Sequence, residues 1–252
     1  MAKNNNLTDF LTDIADTIRE ENGTTELINP QDFGSKITGI GNKLRGLVRG
    51  TLRELKASDL RGISEIGPYA FYKHECLESV IIPNSVTSIG SGAFWSCTGL
   101  TSIAIPDRVL IIGSNAFSGC KGLTSITIPD SVMSIGEGVF YGCTGLTSVT
   151  IPSSVTSIGI DAFRDCTGLT SVVYRGRVLI SARIFNGCTK IAKYDFRNAA
   201  YIPTLSNKAY LGHAAGCKII VSDVLYDSWK AATNWSALTD VVWVKASKYT
   251  EG

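Results

Sequence analysis

Histidine is almost missing from this chain: His74 and His213 are the only two, and they stand 139 residues apart. Neither sits among acids, so no imidazole-centred acid–base site and no H-E-x-x-H metal motif can be assembled from local sequence. Charge is also scarce, at 18% of residues with a net charge of +2. No run of Lys and Arg and no basic stripe interleaved with aromatics follows a phosphate backbone, which excludes the usual footprint of a nucleic-acid binder. No apolar run approaches the roughly 20 residues that cross a bilayer, so membrane insertion is not expected. The G-x-S-x-G elbow and the phosphate-cradling glycine loop are absent too. Catalytic, cofactor-binding and metal-ligating residues are therefore all expected to be none. The opening MAKNNNLTDF lacks a basic segment followed by an apolar one and predicts no secretory signal peptide.

In place of these signals the chain carries one sentence of residues, written repeatedly. It reads IGSGAFWSCTGLTSIAIPDRV from Ile89, IGSNAFSGCKGLTSITIPDSV from Ile112 and IGEGVFYGCTGLTSVTIPSSV from Ile135. Phe71, Phe94, Phe117, Phe140 and Phe163 are each 23 residues apart, and Phe185 follows after 22. A period of this length means stacked coils rather than a closed globule. In the third repeat the apolar positions are Ile112, Ala116, Phe117, Cys120, Leu123, Ile126, Ile128 and Val132. Such a set fills a core only when neighbouring coils cover both of its open ends. Leu123-x-x-Ile126-x-Ile128 has the spacing of a leucine-rich repeat strand, and the prolines at 83, 106, 129 and 152 remove a donor and end it. Gly90, Gly113, Gly136 and Gly159 mark a bend where a Cβ is poorly tolerated. Each coil is thus predicted to be one short parallel strand, a turn, an extended return and a short helical or irregular piece.

The I-G-x-x-A-F-x-x-C-x-x-L-x-x-I-x-I-P pattern resembles the 23-residue leucine-rich repeats of the BspA-like, or treponemal, type. The resemblance covers about half the chain. It implies an α+β repeat fold, a leucine-rich repeat solenoid of about six coils over residues 63–198. It implies little about function, because a solenoid is a scaffold that carries many tasks.

Cys97, Cys120, Cys143, Cys166 and Cys188 occupy one column, on the face of the core Phe. Coils rising about 4.8 Å place equivalent Cβ atoms somewhat farther apart than the roughly 3.5–4.5 Å a disulfide wants. These are read as buried thiols acting as small hydrophobes; zinc is disfavoured because there is no paired C-x-x-C and no nearby His. In the first coil His74 takes the Cys column and Cys76 the Gly column. That pair is either a Cys–His nucleophile or, as the plainer reading, a relaxed end coil.

Before the repeats, Leu7, Phe10, Leu11, Ile14, Ala15 and Ile18 have helical spacing behind Asn6, and Asn22-Gly23 supplies a stop. A second helix is predicted from Asn29-Pro30, with Phe33 and Ile37 on one face. Residues 1–40 would form a helical pair too small to stand alone. The segment LTDFLTDIADTIREENGTTELINPQDFGSKITGI resembles the short amino-terminal module of tail and baseplate-associated proteins of bacteriophages that infect Gram-positive hosts. That resemblance implies attachment to other tail or baseplate proteins through residues 1–40, a place in the virion, and a solenoid presented for host recognition. The alternative is an adhesin on a bacterial cell surface or a protein-interaction scaffold. Residues 41–62 are expected to cap the solenoid, with a strand or hairpin in Leu47–Leu55. Residues 199–252 are expected to form an α/β cap: a strand over Lys218–Val221, a helix capped by Ser222 that carries Leu225, Tyr226, Trp229 and Ala232, and a final strand over Val241–Val244. Trp229, Trp235 and Trp243 there serve either that cap's core or a carbohydrate-stacking tip.

The outward strand positions, such as Thr124, Ser125 and Thr127, barely change between coils and suit a scaffold. Variation concentrates just after the core Phe, where Tyr72, Trp95, Ser118, Tyr141, Arg164 and Asn186 follow one another up one edge. Tyr72 beside Trp95, and Tyr141 beside Arg164, are the candidate contact residues. The partners expected are a host surface protein or glycan, tail proteins, or further copies of the chain itself.

Overall fold

The computed structural model describes residues 52–60, 62–175, 183–199, 202, 212–232, 235, 236, 238 and 240–250. The helices expected before residue 41 lie outside the described residues. Three faces make up the stack. The front face is the predicted strand: Glu54–Leu55, Ser79–Ile81 and Ser102–Ala104 pair in parallel, as do Ser148–Ile151, Ser171–Tyr174 and Lys193–Phe196. Residues 124–128, between these two groups, are not paired as the expected strand, although they keep its alternation of exposed and buried positions. Inward Val80, Ile103, Ile126, Val149 and Val172 are buried, and the prolines stand where pairing stops.

The extended return is itself a second sheet. Glu65–Ile66, Ser88–Ile89, Ile111–Ile112, Ser134–Ile135 and Ser157–Ile158 pair in parallel, each two residues long. The third face corrects the expectation of a helical piece around Phe. It is a run of turns whose backbone bonds reach the next coil, Phe71 N–H to the Ala93 carbonyl at 2.7 Å, Phe94 to Ala116 at 2.7 Å and Phe117 to Val139 at 2.9 Å. Helix is prevented because residues two before and two after Phe are left-handed, Asn115 at φ 56° and Gly119 at φ 73° in one coil. The α+β expectation therefore gives way to a parallel-strand solenoid with very little helix. Its only α-helix among the described residues is Tyr226–Ala231.

Inside, the six phenylalanines form one column of rings. Consecutive centroids lie 5.0, 5.3, 5.5, 5.0 and 5.4 Å apart with interplanar angles of 18° or less. Each of the five column thiols donates to the carbonyl of the Phe one coil back, Cys97 Sγ to Phe71 at 2.9 Å and Cys143 Sγ to Phe117 at 3.1 Å. The cysteine column thus gives each of these carbonyls a second donor, beside the backbone N–H three residues on. Outside, the threonines do the same work: Thr101 and Thr170 hydroxyls donate to the Glu78 and Thr147 carbonyls at 3.0 Å.

Burial pushes the Cys97 and Cys143 thiols up to about 12 from an ordinary 9.0. The folded pKa is raised, so the stability linked to these thiols is complete below pH 9 and is lost as pH climbs from 9 toward 12. Of the seven cysteines only Cys76 is exposed. An aromatic disulfide reagent at pH 8 should accordingly label one thiol quickly in the native protein and all seven after denaturation. Fast native labelling of several would be incompatible with the stack.

The ends close by continuing the front sheet. At the start, Leu52, Leu55 and Leu60 are buried and Glu54–Leu55 pairs with Ser79–Val80, so the front sheet is under way by residue 54; residues 47–51 lie outside the described residues. At the other end Cys217–Val221 and Val241–Lys245 add two parallel strands beyond Lys193–Phe196, although the repeat signature has ended. Ser222 does not cap with its side chain. Asp223 instead accepts the Ser247 backbone N–H at 3.0 Å and its hydroxyl, which ties the start of the short helix to the chain's last turn.

Candidate functional site

The expected edge is present but divided. Tyr72 and Trp95 meet edge to face, with centroids 5.5 Å apart at 67°, and remain 41% and 36% exposed. Ser118, next in the column, is buried and interrupts the line. Beyond it the Arg164 guanidinium lies 5.7 Å over the Tyr141 ring, while Arg164 also faces Asp161 at 3.6 Å and Asp165 at 3.4 Å. The Tyr141–Arg164 pair is therefore largely neutralised from within. Tyr72 and Trp95 are the stronger half.

A third ring joins them that sequence reasoning missed. Tyr69, 55% exposed, lies 6.0 Å from Tyr72 at 90° and 6.4 Å from Trp95. It occupies the left-handed column two before Phe, where other coils place Gly92, Asn115, Gly138, Asp161 and Arg183. A bulky residue there is strained by about 1–3 kcal/mol. Gly92 makes room for it, since a Cβ on Gly92 would fall 2.5 Å from Tyr69 Cε1. The one aromatic in a column otherwise of Gly, Asn, Asp and Arg was the available signal. Lys73 Nζ lies 5.2 Å over the Tyr72 ring and completes a small amphipathic cluster.

Other candidates resolve into packing. His74 sits edge-on to Phe71 at 6.3 Å, and burial holds its imidazole below the usual value, while Cys76 is exposed beside it in sequence. Trp229 and Trp235 are fully buried, 4.8 Å apart and packed on Phe196 at 4.9 and 5.4 Å. These two indoles are core, not a sugar-stacking tip. Among the described residues no group of three His, Cys, Asp or Glu is placed to hold a metal ion, and no helix is long and apolar enough to cross a membrane.

Six copies of the BspA type leucine rich repeat region are matched over residues 64–207. The chain belongs to the BspA-type leucine-rich repeat family. This BspA-type chain is similar to the leucine rich repeat protein of T. pallidum at 29% identity, over 77% of this chain and 86% of that one, with a TM-score of 0.57. It also shares its fold with the pneumococcal vaccine antigen PcpA, at 18% identity and a TM-score of 0.59, over 73% of this chain but only 45% of the antigen. No curated protein sequence matches it.

Proposed function

We propose that this BspA-type protein is a non-catalytic recognition scaffold of a bacterial surface, which meets a partner protein through Tyr69, Tyr72 and Trp95. The observation that carries this reading is Tyr69. A large aromatic is held in a left-handed backbone position, half exposed, beside two further exposed rings in a solenoid whose remaining edge is small or self-paired. Strain retained at an exposed side chain points to use of that side chain. Tyr72 meets Tyr69 and Trp95 edge to face, at 90° and 67°, and the clefts between these edges suit protein side chains better than the flat face of a sugar. Tyr and Trp are also the residues that dominate binding energy at protein interfaces.

Surface display is tested with antibodies raised against the purified solenoid. Intact producing cells should be labelled, and labelling that needs lysis would remove the surface reading. The edge is tested with a photoactivatable residue at position 95, which should capture a partner that the same residue at position 125 does not.

A second reading rests on the residues 7–40, outside the described residues, whose pattern resembles a phage tail module. There the solenoid would be carried on a virion, residues 1–40 would attach to tail or baseplate proteins, and 41–252 would remain free to recognise the host. Fusing residues 1–40 to an unrelated protein separates the two, because incorporation into phage particles belongs to this second reading alone.

A further inference from the structure

The outward column of the front sheet changes character along the stack. It pairs Ser79 with Ser102 in one group of strands and runs Ser148, Ser171, Lys193 and Lys218 in the other, each in register with the next. Small hydroxyls thus give way to two lysines on adjacent strands, about 4.8 Å apart at the backbone. The segment after the last strand brings Tyr249 over them. Lys193 Nζ lies 5.6 Å, Lys218 Nζ 5.9 Å and the Arg197 guanidinium 5.2 Å from the centre of its ring.

Arg197 is matched by Asp195, with Nε at 3.0 Å from both carboxylate oxygens and Nη2 at 2.7 Å from one. Asp195 is only 7% exposed and has no reach to spare. No described carboxylate lies within ion-pair distance of Lys193 or Lys218. Two ammonium groups held side by side repel, and the ring face offsets part of that repulsion. An anion between them offsets the rest. In a chain with a net charge of +2 this is a local concentration, not a basic surface.

We propose that Lys193 and Lys218, with Arg197 and Tyr249, form a subsite for the anionic group, carboxylate or sulfate, of an acidic polysaccharide. Both ammonium groups donate to the one anion, and Tyr249 offers an aromatic edge to the sugar ring that bears it. The column beside them, Ser171 and Ser148, presents hydroxyls on a flat sheet, which suits the hydroxyls of a neighbouring sugar. No basic stripe continues from the site to track a phosphate chain, so a nucleic acid fits it less well. This subsite lies four coils from the aromatic cluster and does not depend on it.

Binding of the full chain to immobilised heparin, which carries sulfates, and to polygalacturonate, which carries carboxylates only, tests the assignment and shows which anion is preferred. The variant Lys193→Gln/Lys218→Gln should bind the preferred glycan roughly tenfold or more weakly, since hydrogen bonds to charged groups are the strong ones. Wild-type binding should also weaken with added salt. Lys56→Gln/Lys121→Gln removes the same charge from exposed positions elsewhere and should change little. Tyr249→Leu keeps all the charge and should still weaken binding. Circular dichroism confirms that each variant is folded. Equal loss from both lysine pairs, no binding of either glycan by wild type, or tighter binding of poly-glutamate or an oligonucleotide of equal charge would each overturn the proposal.

Discussion

Replacing Phe117 with Ala should cost about 3–5 kcal/mol, the range for a buried aromatic. The ring is fully buried and touches a ring on each side, 5.3 Å from Phe94 and 5.5 Å from Phe140. A cavity in the middle of the column also removes cover from both neighbours, and collapse is hindered because the return and the turns of this coil are pinned by backbone bonds. Trp95→Ala, at an exposed edge of the same stack, should cost much less than half of that. Urea unfolding of the two variants makes the comparison, and equal losses would put Trp95 in the core and end its candidacy as a contact.

Gly113→Ala should be comparably severe for a different reason. A Cβ there would sit 2.7 Å from the Ser91 nitrogen and 2.8 Å from the Gly90 carbonyl carbon, both backbone atoms of the preceding coil. Relief requires the two coils to part, which strains the Gly113 N–H bond to the Ile89 carbonyl, now 2.8 Å. We expect a loss of at least about 3 kcal/mol, the upper end of overpacking. Gly142→Ala is the control. It stands at φ +67° with nothing within 4 Å of its Cβ, so only the left-handed backbone resists, and roughly 1–2 kcal/mol should be lost. A Gly113 variant no worse than the Gly142 variant would mean that the coils yield more easily than the spacing implies.

The legible parts of this fold were those that repeat over several residues with side chains to show it. Leu123, Ile126 and Ile128 announced the front strand, Phe117 the core column and Cys120 the buried thiols. The return sheet was not legible, because Ser134–Ile135 is two residues long and no period can be measured over that length. The turns around Phe were misjudged for a related reason: Asn115 and Gly119 mark left-handed backbone only when seen four residues apart in every coil. A second glycine column was passed over as well, although a Cβ on Gly168 would meet the Thr144 carbonyl oxygen at 2.3 Å. The strands expected over Lys218–Val221 and Val241–Val244 form, but their place in the front sheet was not legible, because no repeat in the side chains marks it. At the candidate site, Tyr72 and Trp95 were visible as variation in an exposed column. Tyr69 was hidden because it varies in a backbone column, where change is not expected to reach the surface.

The three ladders also make the molecule a ruler. Successive coils share one spacing, so the aromatic cluster at Trp95 and the lysines at 193 and 218 are held four and five coils, or roughly 20–25 Å, apart along the axis. Gain or loss of one 23-residue unit between them would move the two surfaces by one step of about 4.8 Å without rebuilding either. Reach can therefore change separately from chemistry, which lets one pair of surfaces be fitted to partners of different length.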